Sequence, residues 1–247
     1  MKQYLSALSL AVRATIYKVS GVIFLMGACQ YLLFSRSLAS AEATWSQYSQ
    51  QFASLEELIS NSRAPLLFYI GFLAVCAILC LNGTEFWGSR SGYTIQRLSI
   101  SEKKLHIAWA IYYSLCFFLF LCLQLAVTYG LGMIYMASPL GKMSGNQTLF
   151  LAFYRSPFLH SLLPLAETSR AIRNVILCIA LGISASSFSY LQRRDRKYGT
   201  MIAFSVIAAV SFQQEMGHFS IDMLVSIISI YTAGKSIYNM RGDGNDV

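Results

Sequence analysis

Residues Leu105–Ala137, LHIAWAIYYSLCFFLFLCLQLAVTYGLGMIYMA, contain no Asp, Glu, Lys or Arg, and the next charge is Lys142. An α-helix rises 1.5 Å per residue, so about 20 apolar residues cross the ~30 Å hydrocarbon of a bilayer. This stretch therefore reads as a membrane-crossing helix that extends past the hydrocarbon until Pro139 ends it. The rest of the chain has the same character: 55% of the 247 residues are hydrophobic and 12% are charged, against about 25% charged in a soluble domain. Almost every stretch long enough to form a core is itself a candidate span, which predicts one membrane domain and no separate soluble one.

On the N-terminal side, 64–84 is charge-free between Arg63 and Glu85, and 19–35 is a shorter apolar run. On the C-terminal side lie 173–192, 198–214 and 219–238. The predicted fold is an all-α membrane protein of six transmembrane helices, with spans at 19–35, 64–84, 105–136, 173–192, 198–214 and 219–238. Residues 1–18 place Lys2, Ser6, Ser9 and Arg13 on one narrow face, as in a helix lying in the headgroup layer, and 239–247 form a polar tail. Asp222 and Lys235 confine the uncharged middle of the last segment to Met223–Gly234. That is short of a free-standing span, so the last two segments either cross fully or dip in and return beside shielding neighbours.

Two amphipathic external segments are expected. Trp45, Tyr48, Phe52, Leu55 and Ile59 recur at helical spacing, with Ser54 and Glu57 in the form of a capping box. Leu149–Pro164 is apolar but broken by Arg155, Pro157 and His160, which suits an interfacial segment better than a seventh crossing.

Orientation follows from loop charge. With the N-terminus in the cytoplasm, 13 Lys and Arg lie on the inner side and six, Arg36, Arg63, Lys142, Arg155, Arg170 and Arg173, on the outer. The run Arg193-Arg194-Asp195-Arg196-Lys197 weighs most, because translocating it in a short loop is costly. Both termini are thus expected in the cytoplasm of a multi-pass cell-membrane protein. The net charge of +8 is loop charge of this kind, with no basic stripe interleaved with aromatics to suggest nucleic acid. The six cysteines lie inside apolar runs and read as small buried hydrophobes, neither a disulfide framework nor a zinc motif.

The loop after the second span reads Gly88-Ser-Arg-Ser-Gly-Tyr-Thr-Ile-Gln-Arg-Leu-Ser-Ile-Ser-Glu-Lys-Lys. Ser99 and Glu102 have the capping-box spacing, so a helix starting at Ile100 should run into the third span and make the loop a rigid protrusion. Gly92, Thr94, Leu98, Ser99, Ser101, Lys103 and Lys104 stand in the order of a Gly-Thr-like start, a leucine, a small-residue turn and a basic entry into the next span, with Arg97 and Glu102 among them. This loop resembles the intracellular loop of membrane subunits of ATP-binding-cassette exporters, the second-type permease family. Ser99 stands near where that family usually has a turn proline, and no lysine follows among Ala108, Trp109 and Ala110. The six-span layout with an N-terminal interfacial helix is similar to that family too. The resemblance implies a coupling helix at 92–104, separate ATPase subunits as partners, and a second membrane subunit completing a homodimer or heterodimer. ATP and Mg would sit on the partner. Gly234-Lys235-Ser236 lacks the upstream glycine of a phosphate loop, which falls on Ser229, so this chain carries no cofactor site of its own.

Gln124 and Thr128, one turn apart in the third span, either line a pathway or satisfy each other or a neighbour. Glu215, His218 and Asp222 share one helix face, as in a cation or proton site, or are solvated residues at a helix end. Glu167, Arg170 and Arg173 read as a local salt-bridge set that positions the fourth span. Cys178, Gly182 and Ser186 form a small-residue stripe for close helix packing. His106, His160 and His218 fall in separate segments with no zinc-protease or serine-nucleophile motif, so no catalytic or metal residues are assigned. An ATP-driven exporter subunit is the first reading, a non-transporting accessory or immunity protein the second, and an intramembrane enzyme the third.

Overall fold

The structure is a computed structural model that describes residues 2–48, 54–82, 102–145, 147–165, 167–192, 199–213 and 219–242. Among these residues all regular structure is helical: α1 (Lys2–Tyr48), α2 (Leu55–Asn61), α3 (Ala64–Cys80), α4 (Glu102–Ala137), α5 (Pro139–Ser144), α6 (Thr148–Arg155), α7 (Pro157–Leu162), α8 (Thr168–Gln192), α9 (Thr200–Ser211) and α10 (Phe219–Gly242). Prolines set several boundaries. Pro65, Pro139 and Pro157 occupy first turns, where a missing N–H is no loss. Ser54 and Ser138 cap α2 and α5, accepting from the Glu57 and Gly141 amides, each at 3.3 Å. Between α2 and α3 the axis bends by 55° at Arg63, which takes the left-handed conformation.

Contacts between helices fix their directions. Thr15 meets the Tyr112 hydroxyl at 2.8 Å and Gln124 donates to Gln30 at 3.3 Å, so α1 and α4 run parallel. Phe68 stacks near Phe120 and Phe72 near Phe117, which makes α3 antiparallel to α4. His106 pairs with Ser187 at 3.2 Å, and Ser186 donates to the His106 carbonyl at 3.1 Å, so the start of α4 meets the end of α8. Ser169 and Arg173 both reach Asp222, near the start of α10, which therefore runs alongside α8 in the same direction. The Ser211 carbonyl closing α9 meets Arg173, so α9 runs the opposite way. The principal helices thus alternate up and down, and the start of α1 and the end of α10 lie at the same end of the bundle.

Helix α8 is the centre, packed chiefly on α4 and α10. Beside Leu177, Leu181 and Leu191, its buried face holds Ser184, Ser186, Ser187 and Ser189, whereas Ile172, Val175 and Ile179 are exposed. Helix α10 repeats this inverted pattern, burying Asp222, Ser229 and Ser236 and exposing Leu224, Ile227, Ile230 and Tyr231. A water-soluble helix hides its apolar stripe; these do the reverse, as suits an apolar solvent.

By length and composition, α1, α4 and α8 can each cross a bilayer, and α2 with α3 counts as a fourth span if the bent pair is taken together. The long helix predicted at 105–136 is present as α4 and breaks at Ser138–Pro139. The Leu149–Pro164 segment is two short helices, α6 and α7, split at Ser156. Two boundaries differ from the sequence expectation. Residues 2–18 do not form a separate interfacial helix but continue unbroken into α1, since no proline or cap separates Lys18 from Val19. Trp45 and Tyr48 also belong to α1, so the helix expected to link them with Leu55 and Ile59 is divided, and α2 starts at Leu55.

The predicted small-residue stripe does bring backbones together. A Cβ at Gly182 would come within 2.8 Å of the Ser114 Cα on α4, and a backbone atom cannot rotate away as a flexible side chain could. Gly130 has open space around its Cα. Replacing Gly182 with Ala is expected to cost about 1–3 kcal/mol through overpacking, and Gly182→Val more. Gly130→Ala should lower nothing, and thermal unfolding of the purified protein in detergent compares the three.

Candidate functional site

Glu167, Arg170 and Arg173 follow one another at three-residue spacing, so the start of α8 presents all three on one side. Asp222, in the first turn of α10, faces them. Arg173 Nη1 donates to Asp222 Oδ1 at 2.7 Å, Arg170 Nε lies 3.6 Å from Asp222 Oδ2, and it approaches Glu167 Oε2 to 2.6 Å. Both guanidinium groups are fully buried and the Asp222 side chain is 1% exposed. Two cations thus face two carboxylates, of which Asp222 is buried and Glu167 is partly exposed.

Neutral groups complete the network. Ser169 donates to Asp222 Oδ2 at 3.3 Å, and Arg173 also donates to the Ser211 carbonyl and to Asn174 Oδ1. Helix α7 is drawn in as well: Arg170 Nη1 donates to Ser161 Oγ at 3.2 Å, and Asn174 Nδ2 to the Ser161 carbonyl at 2.7 Å. The Arg173 guanidinium sits 5.8 Å from the centre of the Phe212 ring, close enough for a cation–π contact. Phe212 in turn packs on Phe68 at 5.3 Å, where Phe158 of α7 arrives at 5.4 Å. One constellation therefore ties α7, α8, α9 and α10 together.

This arrangement joins two groups that the sequence kept apart. Glu167 and Arg170 do pair as expected, but Arg173 is neutralised by Asp222 rather than by a local acid, and the solvated-end alternative does not apply to the buried Asp222. Glu215 and His218 lie outside the described residues. The missed signal was complementary charge: Arg173 and Asp222 each interrupt an apolar segment, and opposite charges stranded in lipid must find each other. Ser161 and Asn174 gave no such signal.

A second polar contact lies between α1 and α4. Gln124 and Thr128 are both buried, and Gln124 donates to Gln30, which donates to the Ala64 carbonyl at 3.1 Å. Thr128 turns back on its own helix, to the Gln124 and Leu125 carbonyls. These residues bond to neighbours, and neither borders the apolar cleft of about 460 Å³ between α4 and α6 that Leu125, Tyr129, Phe150 and Leu163 help to line. Gly92, Thr94, Arg97, Leu98, Ser99 and Ser101 of the predicted coupling loop lie outside the described residues. Glu102, Lys103 and Lys104 open α4.

No family model, curated protein or solved structure matches this chain. Chemical capacity must be read from the network itself. Among the described residues no group of three or more His, Cys, Asp or Glu could hold a metal ion. The network can hold helix ends together, and its buried charges make that hold dependent on every member being present.

Removing one partner leaves an uncompensated buried charge, which costs about 3–5 kcal/mol, whereas replacing both by apolar groups is often far milder. Asp222→Ala and Arg173→Met should each lower the unfolding temperature sharply, and Arg173→Met with Asp222→Leu should recover a large part of the loss. A double-mutant cycle of thermal unfolding measures this coupling.

Proposed function

We propose that this chain is the membrane subunit of an ATP-driven exporter, in which the cytoplasmic 92–104 loop docks on a separate ATPase subunit. In this reading six segments pass through the membrane, α9 and α10 being the fifth and sixth, and both termini face the cytoplasm. The supporting observation is α4: 36 residues without a break, about 54 Å at 1.5 Å per residue and so longer than the ~30 Å hydrocarbon. It starts at the basic Lys103 and Lys104 and is pinned to α8 one turn later through His106, Ser186 and Ser187. A push on the loop would reach the centre of the bundle through a rigid rod, moving α4 and α8 together. Two ATPase subunits and a second membrane subunit, identical or similar, would complete the exporter and shift it between inward and outward states. ATP and Mg would be held by the partner.

The alternative is an accessory or immunity protein of the same layout. It is favoured by the way the buried polar groups of α1, α4, α8 and α10 bond to one another.

Copurification in lipid with the ATPase expressed beside it separates the two. The native chain should retain the ATPase and stimulate its activity, and Arg97→Glu with Lys104→Glu should lose at least ~90% of that retention, a tenfold weakening or about 1.4 kcal/mol. A native chain that purifies alone, indifferent to both changes, belongs to the accessory reading. A reporter active only outside the cytoplasm, fused after Val247, should stay silent.

A further inference from the structure

Helix α7 packs directly on the charge network. It inserts Phe158 against Phe68, and Ser161 is bonded to both Arg170 and Asn174. The residue between these anchors is the unusual one. His160 is fully buried, and among the described residues neither ring nitrogen meets hydrogen-bond geometry, although the Phe153 backbone lies near enough to favour its protonation. Its ring lies edge-on to Tyr154 of α6, 6.2 Å between centres. Burial, and after it the nearby Arg170, favour the neutral imidazole in this position.

We infer that His160 makes the α6–α7 segment a proton-sensitive plug, seated over the charge network when the imidazole is neutral and released when it is protonated. The inference concerns this end of the molecule alone and holds under either reading of function.

The groups that face His160 decide the direction. Arg170 on α8 opposes its protonation, while Glu167 beside it, Asp222 on α10 and the Phe153 backbone favour it. Tyr154 of α6 and, through Phe158, Tyr69 of α3 contribute rings rather than charge; Arg173 is engaged by Asp222. Burial is the largest influence, and the net result holds the imidazole below its ordinary value of 6.5. A released, hydrated histidine keeps that ordinary value. The released state therefore binds the proton more readily, so the seated state has its full advantage above about pH 6.5 and loses it as pH falls toward the lower seated value.

A pair of spin labels on non-canonical side chains at Leu163 of the plug and Ile172 of α8, both exposed, reads the seating in the full chain in lipid nanodiscs. One short distance is expected near pH 7.5, with a longer one growing several-fold in population toward about pH 5. His160→Gln and His160→Phe should each hold the short distance at both pH values, the second keeping an aromatic ring if the first packs poorly. His218→Gln should leave the response intact. A distance that is the same at both pH values in the native chain, a response that survives both His160 replacements, or one abolished by His218→Gln would overturn the inference.

Discussion

Arg173 and Asp222 oppose each other across α8 and α10, and the far end of the bundle is organised around that contact. Neither charge could face lipid alone, since a charged side chain at membrane depth is expensive unless it is paired or reaches water. Pairing them fixes the register of α10 on α8, and because Arg173 also holds the Ser211 carbonyl, it fixes the end of α9. Arg170 and Asn174 extend the same hold to α7 through Ser161. Four helices that share little sequence character are thereby locked at one level. The arrangement specifies position more than it adds net stability, because the desolvation of two ions offsets much of their attraction.

At the other end, α8 is held to α4 by different means. Gly182 lets the two backbones approach, and the serines beyond it reach the His106 carbonyl and ring. In lipid the apolar side chains have no preference for one another over acyl chains, so close contact and hydrogen bonds supply the specificity. The serines that α8 and α10 bury and the isoleucines they expose express that condition.

The sequence was most legible where length and breakers spoke together. The uncharged run at 105–137 and Pro139 defined α4 nearly to the residue, and Pro157 divided the segment after it as expected. The Ser54 cap was also visible in advance, because its chemistry is local. The continuation of 2–18 into α1 was less visible: a polar stripe signals a preferred environment but does not by itself break a helix. At the charge network, the local spacing of Glu167, Arg170 and Arg173 could be read directly. The partnership with Asp222 spans 49 residues of chain, and no periodicity encodes which distant acid a buried arginine will meet. His160 looked like an interruption in an apolar run, and only packing reveals that its nitrogens are enclosed.

Helix α9 has one more consequence. Its 12 residues rise about 18 Å, well short of the ~30 Å thickness of an average bilayer core. Ile202, Val206 and Val210 nevertheless point outward, as lipid-facing residues do. In the proposed six-span arrangement this short apolar surface beside the longer α8 would create a mismatch along one flank of the molecule, which the surrounding lipid would relieve by thinning there. That deformation would carry an elastic cost which depends on acyl-chain length, so a six-span chain would favour thin bilayers and gather short-chain lipids around the α9 flank.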